Sequence, residues 1–266
     1  MALQRSFQPL TRRTKILALE LIVPLVIVGV WWWLSASSTS LYFPPLADIV
    51  DELTTSWLFV DWSSDILPSL GNLAIGYVLA CVSGVALGTL LGANPTLGNP
   101  LMPILEFARA IPGVAILPAA ILLLGIGNET RISLIIFGTI WPVLLNTIDG
   151  VRSLDPAVKD LARSYRITPT RKLLFIVLPA ASPQIVAGMR TALAIGVTVM
   201  VFSEMQGTTN GIGFQILDAQ HAFAVPRMWA GIIFLGIVGY LLNIAFRSFE
   251  YVVLHWHRGM RATSRS

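Results

Sequence analysis

Residues 160–179 read DLARSYRITPTRKLLFIVLP, a basic and proline-punctuated segment that lies between long apolar runs. Within its flanks, 153–190, a good N-cap residue directly precedes a proline three times: Asp155-Pro156, Thr168-Pro169 and Ser182-Pro183. Because proline suits the first position of a helix, these pairs predict three helix starts. The first helix is expected over about 156–166, the second over about 169–177, and the third continues into the next apolar run. Leu178-Pro179 is expected to end the second helix, since the residue before a proline is pushed out of helical geometry.

The composition of the chain indicates a membrane protein. Hydrophobic residues make up 55% of its 266 residues and charged residues only 12%, against about a quarter charged in a soluble domain. The mean hydropathy is +0.74. One globular core cannot bury this much apolar surface, whereas a bilayer can cover it. The single cysteine, Cys81, lies in an apolar run and excludes a disulfide framework.

Six segments are apolar and long enough to cross a bilayer as helices, and no two-residue alternation suggests barrel strands. They cover about 16–35, 68–91, 101–124, 132–149, 186–205 and 228–252. The sequence therefore predicts an all-α polytopic membrane protein with six transmembrane helices and a charged loop between helices 4 and 5. The whole chain, 1–266, is expected to be one membrane domain. Its core covers 68–252 and includes the charged loop at 150–184. Residues 1–67 hold an N-terminal tail, the first helix and an amphipathic segment.

The positive charges predict the orientation, because Lys and Arg concentrate in cytoplasmic loops. An inside N-terminus places 13 cations in the cytoplasm. They are Arg5, Arg12, Arg13, Lys15, Arg152, Lys159, Arg163, Arg166, Arg171, Lys172, Arg258, Arg261 and Arg265. The expected outside loops hold only Arg131 and Arg227 and are acidic over 48–65. Both termini are thus predicted to be cytoplasmic. The basic pI of about 9.6 reflects this topology and not nucleic-acid binding.

The first loop helix is amphipathic. Val158, Leu161, Ala162 and Tyr165 share one side of it. An amphipathic cytoplasmic helix fits a groove on a partner protein. A basic amphipathic helix also suits the headgroups of anionic lipids, and the pattern alone leaves both open.

The loop resembles the EAA motif, the cytoplasmic coupling loop in permease subunits of bacterial ABC importers. Asp160-Leu161-Ala162 stands where that family has Glu-Ala-Ala, and Leu178-Pro179 matches the end of the motif. Arg166 stands at the family's glycine and is expected to turn with ordinary φ and ψ. Thr168-Pro169 is an alternative source of the break.

The resemblance extends over nearly the whole chain and is greatest to the nitrate, sulfonate and taurine permeases. Four segments carry it: LYFPPLADIVDEL (41–53), ARAIPGVAILPAAILLLGIGNETR (108–131), GMRTALAIGVTVMVFSEM (188–205) and TTNGIGFQI (208–216). It implies a permease in the bacterial inner membrane that passes a small, anionic organic solute, received from an external binding protein. It also implies two ABC ATPase subunits inside and a second permease copy, expected to be identical. Residues Asp160, Leu161, Ala162, Tyr165 and Arg166 are then the expected ATPase contacts.

Nucleotide is not expected on this chain. A P-loop needs Gly-Lys followed by Ser or Thr, and the three lysines, Lys15, Lys159 and Lys172, follow Thr, Val and Arg. ATP and Mg²⁺ are therefore expected on the partner ATPase. No catalytic set is evident, and His255 and His257 lack the neighbouring ligands of a metal site.

Three charged residues in the spans are candidates for the translocation pathway, because intramembrane charge is costly and often functional. Glu106 and Arg109 are three positions apart. Arg109 either lines the pathway for an anion or forms a neutralising pair with Glu106. Glu204 ends the fifth span and acts either in a proton relay or in a contact to a neighbouring loop.

Two further alternatives remain at this stage. Gly76, Ala80, Gly84, Gly88 and Gly92 form a small-residue stripe that serves packing within the subunit or a subunit interface. A gradient-driven carrier or channel is the rival function. It predicts repeated spans or carboxylates at mid-membrane, and neither is evident.

Overall fold

The computed structural model describes residues 10–58, 62–206 and 208–255, with side chains from residue 22 onward. Every regular element in these ranges is helical. The α-helices are α1 (Leu10–Ser35), α2 (Leu46–Glu52), α3 (Leu67–Ala93), α4 (Pro95–Ala110), α5 (Leu117–Leu124), α6 (Asn128–Arg152), α7 (Pro156–Ser164), α8 (Pro169–Lys172), α9 (Leu178–Met205), α10 (Ile212–His221) and α11 (Val225–Val253). Short π-helical turns occupy Leu53–Trp57, Trp62–Ile66 and Leu173–Val177, and a 3-10 turn occupies Gly113–Ile116. The all-α prediction is confirmed.

Four helices among the described residues are long and apolar enough to cross a membrane. They are Trp62–Ala93, Asn128–Arg152, Pro169–Met205 and Val225–Val253. They correspond to the predicted second, fourth, fifth and sixth spans. The apolar part of α1 within the described side chains is the shorter Ile22–Ser35. Arg5, Arg258, Arg261, Arg265 and His257, used in the sequence predictions, lie outside the described residues.

The predicted third span, 101–124, is not one straight helix. α4 and the segment Gly113–Leu124 meet at an angle of 81°. The break falls at Ile111, whose φ of −73° and ψ of 118° are extended. Pro112 explains the break, because a proline disfavours helical geometry at the residue before it. The bent pair brings the number of candidate crossings to five if it counts as one.

α6 is the central helix, with α3 on one side and α9 on the other. The small-residue stripe of α3 faces α6: a Cβ on Gly76, Gly84, Gly88 or Gly92 would lie within 3.0 Å of a side-chain atom of α6. On the α9 side, a Cβ on Gly188 would lie 2.6 Å from the carbonyl oxygen of Pro142. The stripe thus serves packing within the chain, which resolves the choice that the sequence left open.

The second loop helix does not end at Leu178-Pro179 as expected. Residues Pro169–Met205 form one helix of 37 residues, and Ser182-Pro183 lies inside it. A π turn at Leu173–Val177 precedes the proline, and Leu178 N–H bonds to Leu173 O, five residues back. A π turn widens the helix locally and relieves the clash that Pro179 would otherwise make. Burial of Ala181 and Ile185 in a hydrophobic cluster also favours continuation of the helix.

Candidate functional site

The amphipathic loop helix is α7, and its start follows the predicted chemistry. The Asp155 carboxylate accepts a hydrogen bond of 2.8 Å from Ala157 N–H, and Pro156 occupies the first turn. The cap satisfies one of the N–H groups that a helix start leaves without partners. Only three residues, 153–155, separate α7 from α6. The position of α7 is therefore closely tied to the end of a membrane helix.

One side of α7 is seated on its own chain. Val158 packs against a cluster that includes Leu154, Val177 and Ala181. Ala162 is only 3% exposed. Ala162 was predicted to contact the ATPase, but the structure buries it, since a small side chain lets α7 approach the membrane helices closely.

The neighbouring part of the same face of α7 is open. Leu161 and Tyr165 are one helical turn apart and are 58% and 74% exposed. Asp160 and Arg163 beside them form an exposed ion pair of 3.8 Å. Apolar side chains this exposed, within a charged loop, are typical of a surface that a partner covers.

Two exposed apolar residues of the loop were not singled out from the sequence. Leu174 and Phe175 lie on the π turn and are 51% and 75% exposed. They follow the basic residues of α8, and in sequence they look like the first residues of a membrane span. Their exposure extends the apolar surface of the loop.

Arg166 turns the chain after α7 with a positive φ of 50°, contrary to the ordinary geometry expected for it. Ile167 N–H bonds to Ala162 O at 3.0 Å and Arg166 N–H to Arg163 O at 2.9 Å. These two bonds form a Schellman cap, in which the residue after the C-cap is left-handed and is usually glycine. Arg166 therefore takes the backbone role of glycine while it keeps an exposed cationic side chain.

The predicted pathway residues fall in two different environments. Glu106 and Arg109 are both exposed on α4. Among the ion pairs of the described residues none joins them, so the neutralising pair, one of the two alternatives, does not form there. Glu204 is fully buried at 0% exposure, and its Oε2 accepts a hydrogen bond of 2.9 Å from Gly213 N–H. The Glu204 carboxylate thus bonds to the first turn of α10, directly after the neighbouring loop, rather than to the loop itself.

Glu204 belongs to a buried polar network that the sequence did not reveal as a unit. Arg131, 4% exposed, is not in a loop as expected but in the first turn of α6. Its Nη2 donates to Asn210 Oδ1 at 2.8 Å. Ile212 N–H donates to Ser69 Oγ at 3.1 Å. The network holds segment 208–213 against the starts of α3 and α6.

The exposed side of α9 carries small and polar residues. Gln184, Thr191 and Thr198 lie within one sector of the helix, and Ala187 and Ala194 lie between them. The two threonine hydroxyls bond to carbonyls of their own helix, each at 3.2 Å. Polar side chains within a bilayer normally face other protein or water rather than lipid. This face was also missed in the sequence.

No group of three His, Cys, Asp or Glu side chains that could hold a metal ion occurs among the residues described. His255 has no such neighbours. Two surfaces of the described residues stand out: an exposed apolar face on α7 and a small, polar face on α9.

Comparison with known proteins identifies the type of chain. A family model described as "binding-protein-dependent transport system inner membrane component" matches residues 84–255. The match includes the α7 loop and helices α6, α9 and α11.

Curated relatives resemble the chain over most of its length. The taurine transport system permease protein TauC of Escherichia coli is 28% identical over 239 residues, which cover 87% of each chain. The putative aliphatic sulfonates transport permease protein SsuC of Bacillus subtilis is 29% identical over 89% of this chain and 86% of its own. The bicarbonate transport system permease protein CmpB of Synechococcus elongatus is 32% identical over 80% and 81%.

A solved structure supports the fold. A chain of the MetNI methionine ABC transporter in an inward facing conformation matches with a TM-score of 0.63. The match covers 75% of this chain and 98% of the MetNI chain, at 20% sequence identity. The resemblance to nitrate, sulfonate and taurine permeases that the sequence suggested is thus confirmed at the family level.

Proposed function

We propose that α7 is the helix through which a partner ATPase drives transport. The premise is that this chain belongs to the family of binding-protein-dependent transport system inner membrane components and is a permease subunit of an ATP-driven importer. The observation that carries this proposal is the exposure of Leu161 and Tyr165 on a helix whose neighbouring residues, Val158 and Ala162, are seated on the membrane helices. Asp160 and Arg166 border this apolar face as exposed charged contacts. Ala162 supports the helix from beneath.

The coupling follows from helix continuity. Pro169–Met205 is one helix of 37 residues, or roughly 55 Å at about 1.5 Å per residue. A displacement of the loop is therefore carried into the membrane along one helix, which includes the π turn at Leu173–Val177. ATP and Mg²⁺ act on the partner subunit, and nucleotide biases the permease between two arrangements of differing stability.

The proposed topology has six crossings and cytoplasmic termini. The four long helices, the broken α4–α5 pair and α1 make up the six. The distribution of positive charge along the sequence supports the orientation. This orientation places α7 in the cytoplasm. It places segment 208–213 on the outer side, where a solute-binding protein docks.

Two copies enclose the proposed pathway. The isolated chain leaves large apolar side chains of α4 and α5 uncovered: Phe107 is 70% exposed and Leu122 is 86% exposed. Lipid or a second copy covers them, and the polar face of α9 with Gln184, Thr191 and Thr198 then lines the pathway. Arg109 and Glu106 are the charged residues nearest the bend of α4, and both remain candidates for contact with solute. We assign Glu204 to bracing and not to the lining.

The proposed solute is small and carries an anionic oxygen group. Taurine, aliphatic sulfonates and bicarbonate, named for the relatives, share this property. A panel of taurine, an alkanesulfonate, nitrate and bicarbonate is therefore the set to test for uptake. Uptake of none of them would contradict the proposed solute class.

The docking proposal is tested by co-purification of the cognate ATPase with the tagged permease in detergent. Leu161→Arg with Tyr165→Glu places two charges on the apolar face, and we expect the ATPase to be lost. Gln220→Arg with His221→Glu adds the same charges to exposed positions of α10, on the proposed outer side, and should leave capture unchanged. Equal capture by both variants would contradict docking through α7.

A further inference from the structure

A basic cleft of about 470 Å³ lies where the ends of α3 and α6 meet the α7–α8 loop. Three cationic side chains line it: Arg152, Lys159 and Lys172. All three are partly buried rather than fully exposed. Apolar residues at the ends of the membrane helices, Val151 and Val177, complete its wall.

None of the three cations is neutralised by a carboxylate in the part of the chain that the structure describes, where the two ion pairs recorded are elsewhere. Arg152 Nη2 donates to the neutral Asn99 Oδ1 at 3.0 Å. Lys159 Nζ donates to the carbonyl oxygen of Arg152 at 3.5 Å. Like charges collected in a concave, partly dry site repel one another, and a bound anion lowers that cost.

The backbone beside the cleft is shaped around one of these cations. A Cβ on Gly98 would lie 2.7 Å from Arg152 Nη2 and would also meet the carbonyl oxygen of Leu91. Glycine therefore leaves the space that the guanidinium occupies while α4 packs closely on the end of α3. The Arg152 guanidinium therefore lies against the junction of α3 and α4.

The cleft is separate from the proposed docking face. Lys159 is two positions before Leu161 on α7, and at about 100° per residue the two side chains are separated by roughly 160°, so they point to nearly opposite sides. The cleft lies beside the ends of α3 and α6 and the start of α4. On the proposed topology, which this inference adopts, these helix ends face the cytoplasm at the level of the lipid headgroups. Its charged and apolar walls match the two parts of a phospholipid.

We propose that this cleft binds the phosphate of an anionic phospholipid, with Lys159, Lys172 and Arg152 around the headgroup and the acyl chains along the membrane helices. Basic pockets between helices at a membrane surface bind such headgroups. Inorganic phosphate presents the same anionic oxygens, so the test separates the two sources. We assign the cleft to the lipid, because the apolar wall of Val151 and Val177 can contact acyl chains but makes no favourable contact with a soluble anion.

The full-length permease is purified, without ATPase or solute, from an equimolar mixture of phosphatidylglycerol and phosphatidylcholine. Native mass spectrometry then measures the lipid that it retains. We expect the wild type to retain phosphatidylglycerol preferentially and Lys159→Gln with Lys172→Gln to lose the preference roughly ten-fold. Lys159→Arg with Lys172→Arg keeps the charge and should keep the lipid. Arg163→Gln with Arg171→Gln removes the same charge from exposed positions outside the cleft and should have no effect.

Three results would overturn the proposal. One is equal loss of lipid in the two glutamine variants, which would indicate general surface charge. Another is absence of any preference in the wild type. The third is displacement of phosphatidylglycerol by inorganic phosphate, which would assign the cleft to a soluble anion. Because neither ATPase nor solute is present, each outcome is independent of the docking test.

Discussion

The carboxylate of Asp65 accepts a hydrogen bond of 2.7 Å from the backbone N–H of Gly211, although 146 positions separate the two residues. Asp65 is 4% exposed and precedes α3, whereas Gly211 ends the segment that follows α9. Gly211 adopts a φ of 117°, which brings its N–H to the carboxylate in a conformation that other residues rarely adopt. The bond joins the second and fifth proposed spans at one end of the molecule.

Replacement of Asp65 tests this bond. Its other oxygen accepts from Ser64 and from Gln215 Nε2, at 2.7 and 3.2 Å. Asp65→Ala leaves the buried Gly211 N–H and the two part-buried side-chain donors without this acceptor, and we expect a loss of about 3 kcal/mol in the free energy of unfolding. Asp65→Asn keeps one acceptor oxygen and should lose about 1 kcal/mol. Thermal unfolding in detergent measures both, and equal stability of the two variants would contradict a role for the carboxylate.

The closeness of α3 to α6 predicts opposite effects of one substitution at two glycines of α3. A Cβ on Gly88 would lie 2.6 Å from Thr147 Cβ and 2.7 Å from the Leu144 carbonyl oxygen, while one on Gly71 would meet nothing within 4 Å. Gly88→Ala should destabilise the protein by about 1–3 kcal/mol through overpacking. Gly71→Ala should stabilise it by about 0.5–1 kcal/mol through helix propensity. The midpoints of thermal unfolding decide the sign, and a stable Gly88→Ala protein would contradict the close helix contact.

The left-handed turn at Arg166 leads to a second pair of matched substitutions. Arg166→Gly should stabilise the end of α7 by about 0.5–1 kcal/mol, because the residue adopts a φ of 50° at a cost that glycine avoids. Arg163→Gly, inside α7, should destabilise it by about 1 kcal/mol. Hydrogen exchange of the Ile167 amide, bonded to Ala162 O at 3.0 Å, reports this local stability. Faster exchange in both variants would show that Arg166 is not strained.

The sequence predicted the helices better than their joins. Apolar length identified the four long spans, and the pair Asp155-Pro156 placed the start of α7, because both signals are local. The prediction that the helix ends at Leu178-Pro179 was wrong, since a π turn and the burial of Ala181 allow the helix to continue through the proline. Arg166 was misjudged for a related reason: Schellman bonds impose a left-handed φ that the residue type does not announce. Phe223, with a φ of 54°, follows α10 in the same way.

The candidate site divides along similar lines. Leu161 and Tyr165 could be proposed from the sequence because their spacing on one short helix is visible there. The burial of Ala162, also on that helix, was not, since it depends on the membrane helices beneath. The polar network around Glu204 joins residues far apart along the chain, Arg131 and Asn210 being 79 positions apart. Of this network, the sequence indicated only Glu204, the acidic residue at the end of the fifth span.

The burial of Ala162 separates a supporting role from a docking role. Ala162→Leu adds volume beneath α7 and should lower the stability of the permease alone by about 1–3 kcal/mol. Ala157→Leu makes the same change at an exposed position of α7 and should have little effect. Unfolding is measured without the ATPase present. Unchanged stability of Ala162→Leu together with loss of ATPase binding would instead restore Ala162 as a direct contact.

The unpaired charges of α4 make the final prediction, which concerns the solute. Arg109→Gln should raise the KM of uptake roughly ten-fold, equivalent to about 1.4 kcal/mol, because it removes an attraction for the anionic group. Glu106→Gln should lower the KM, because it removes a repulsion and no ion pair joins the two side chains among the described residues. Arg109→Lys keeps the charge and should stay near the wild type.

Uptake into proteoliposomes containing the ATPase and the binding protein gives these constants, with whichever solute of the panel the wild type transports. Arg171→Gln, exposed in the α8 turn, is the matched loss of an arginine outside the pathway. Opposite shifts for Arg109→Gln and Glu106→Gln, with Arg171→Gln unchanged, would show that charge on α4 acts on the solute itself. Shifts in the same direction would remove both residues from the pathway, because a purely structural disturbance does not depend on the sign of the charge removed.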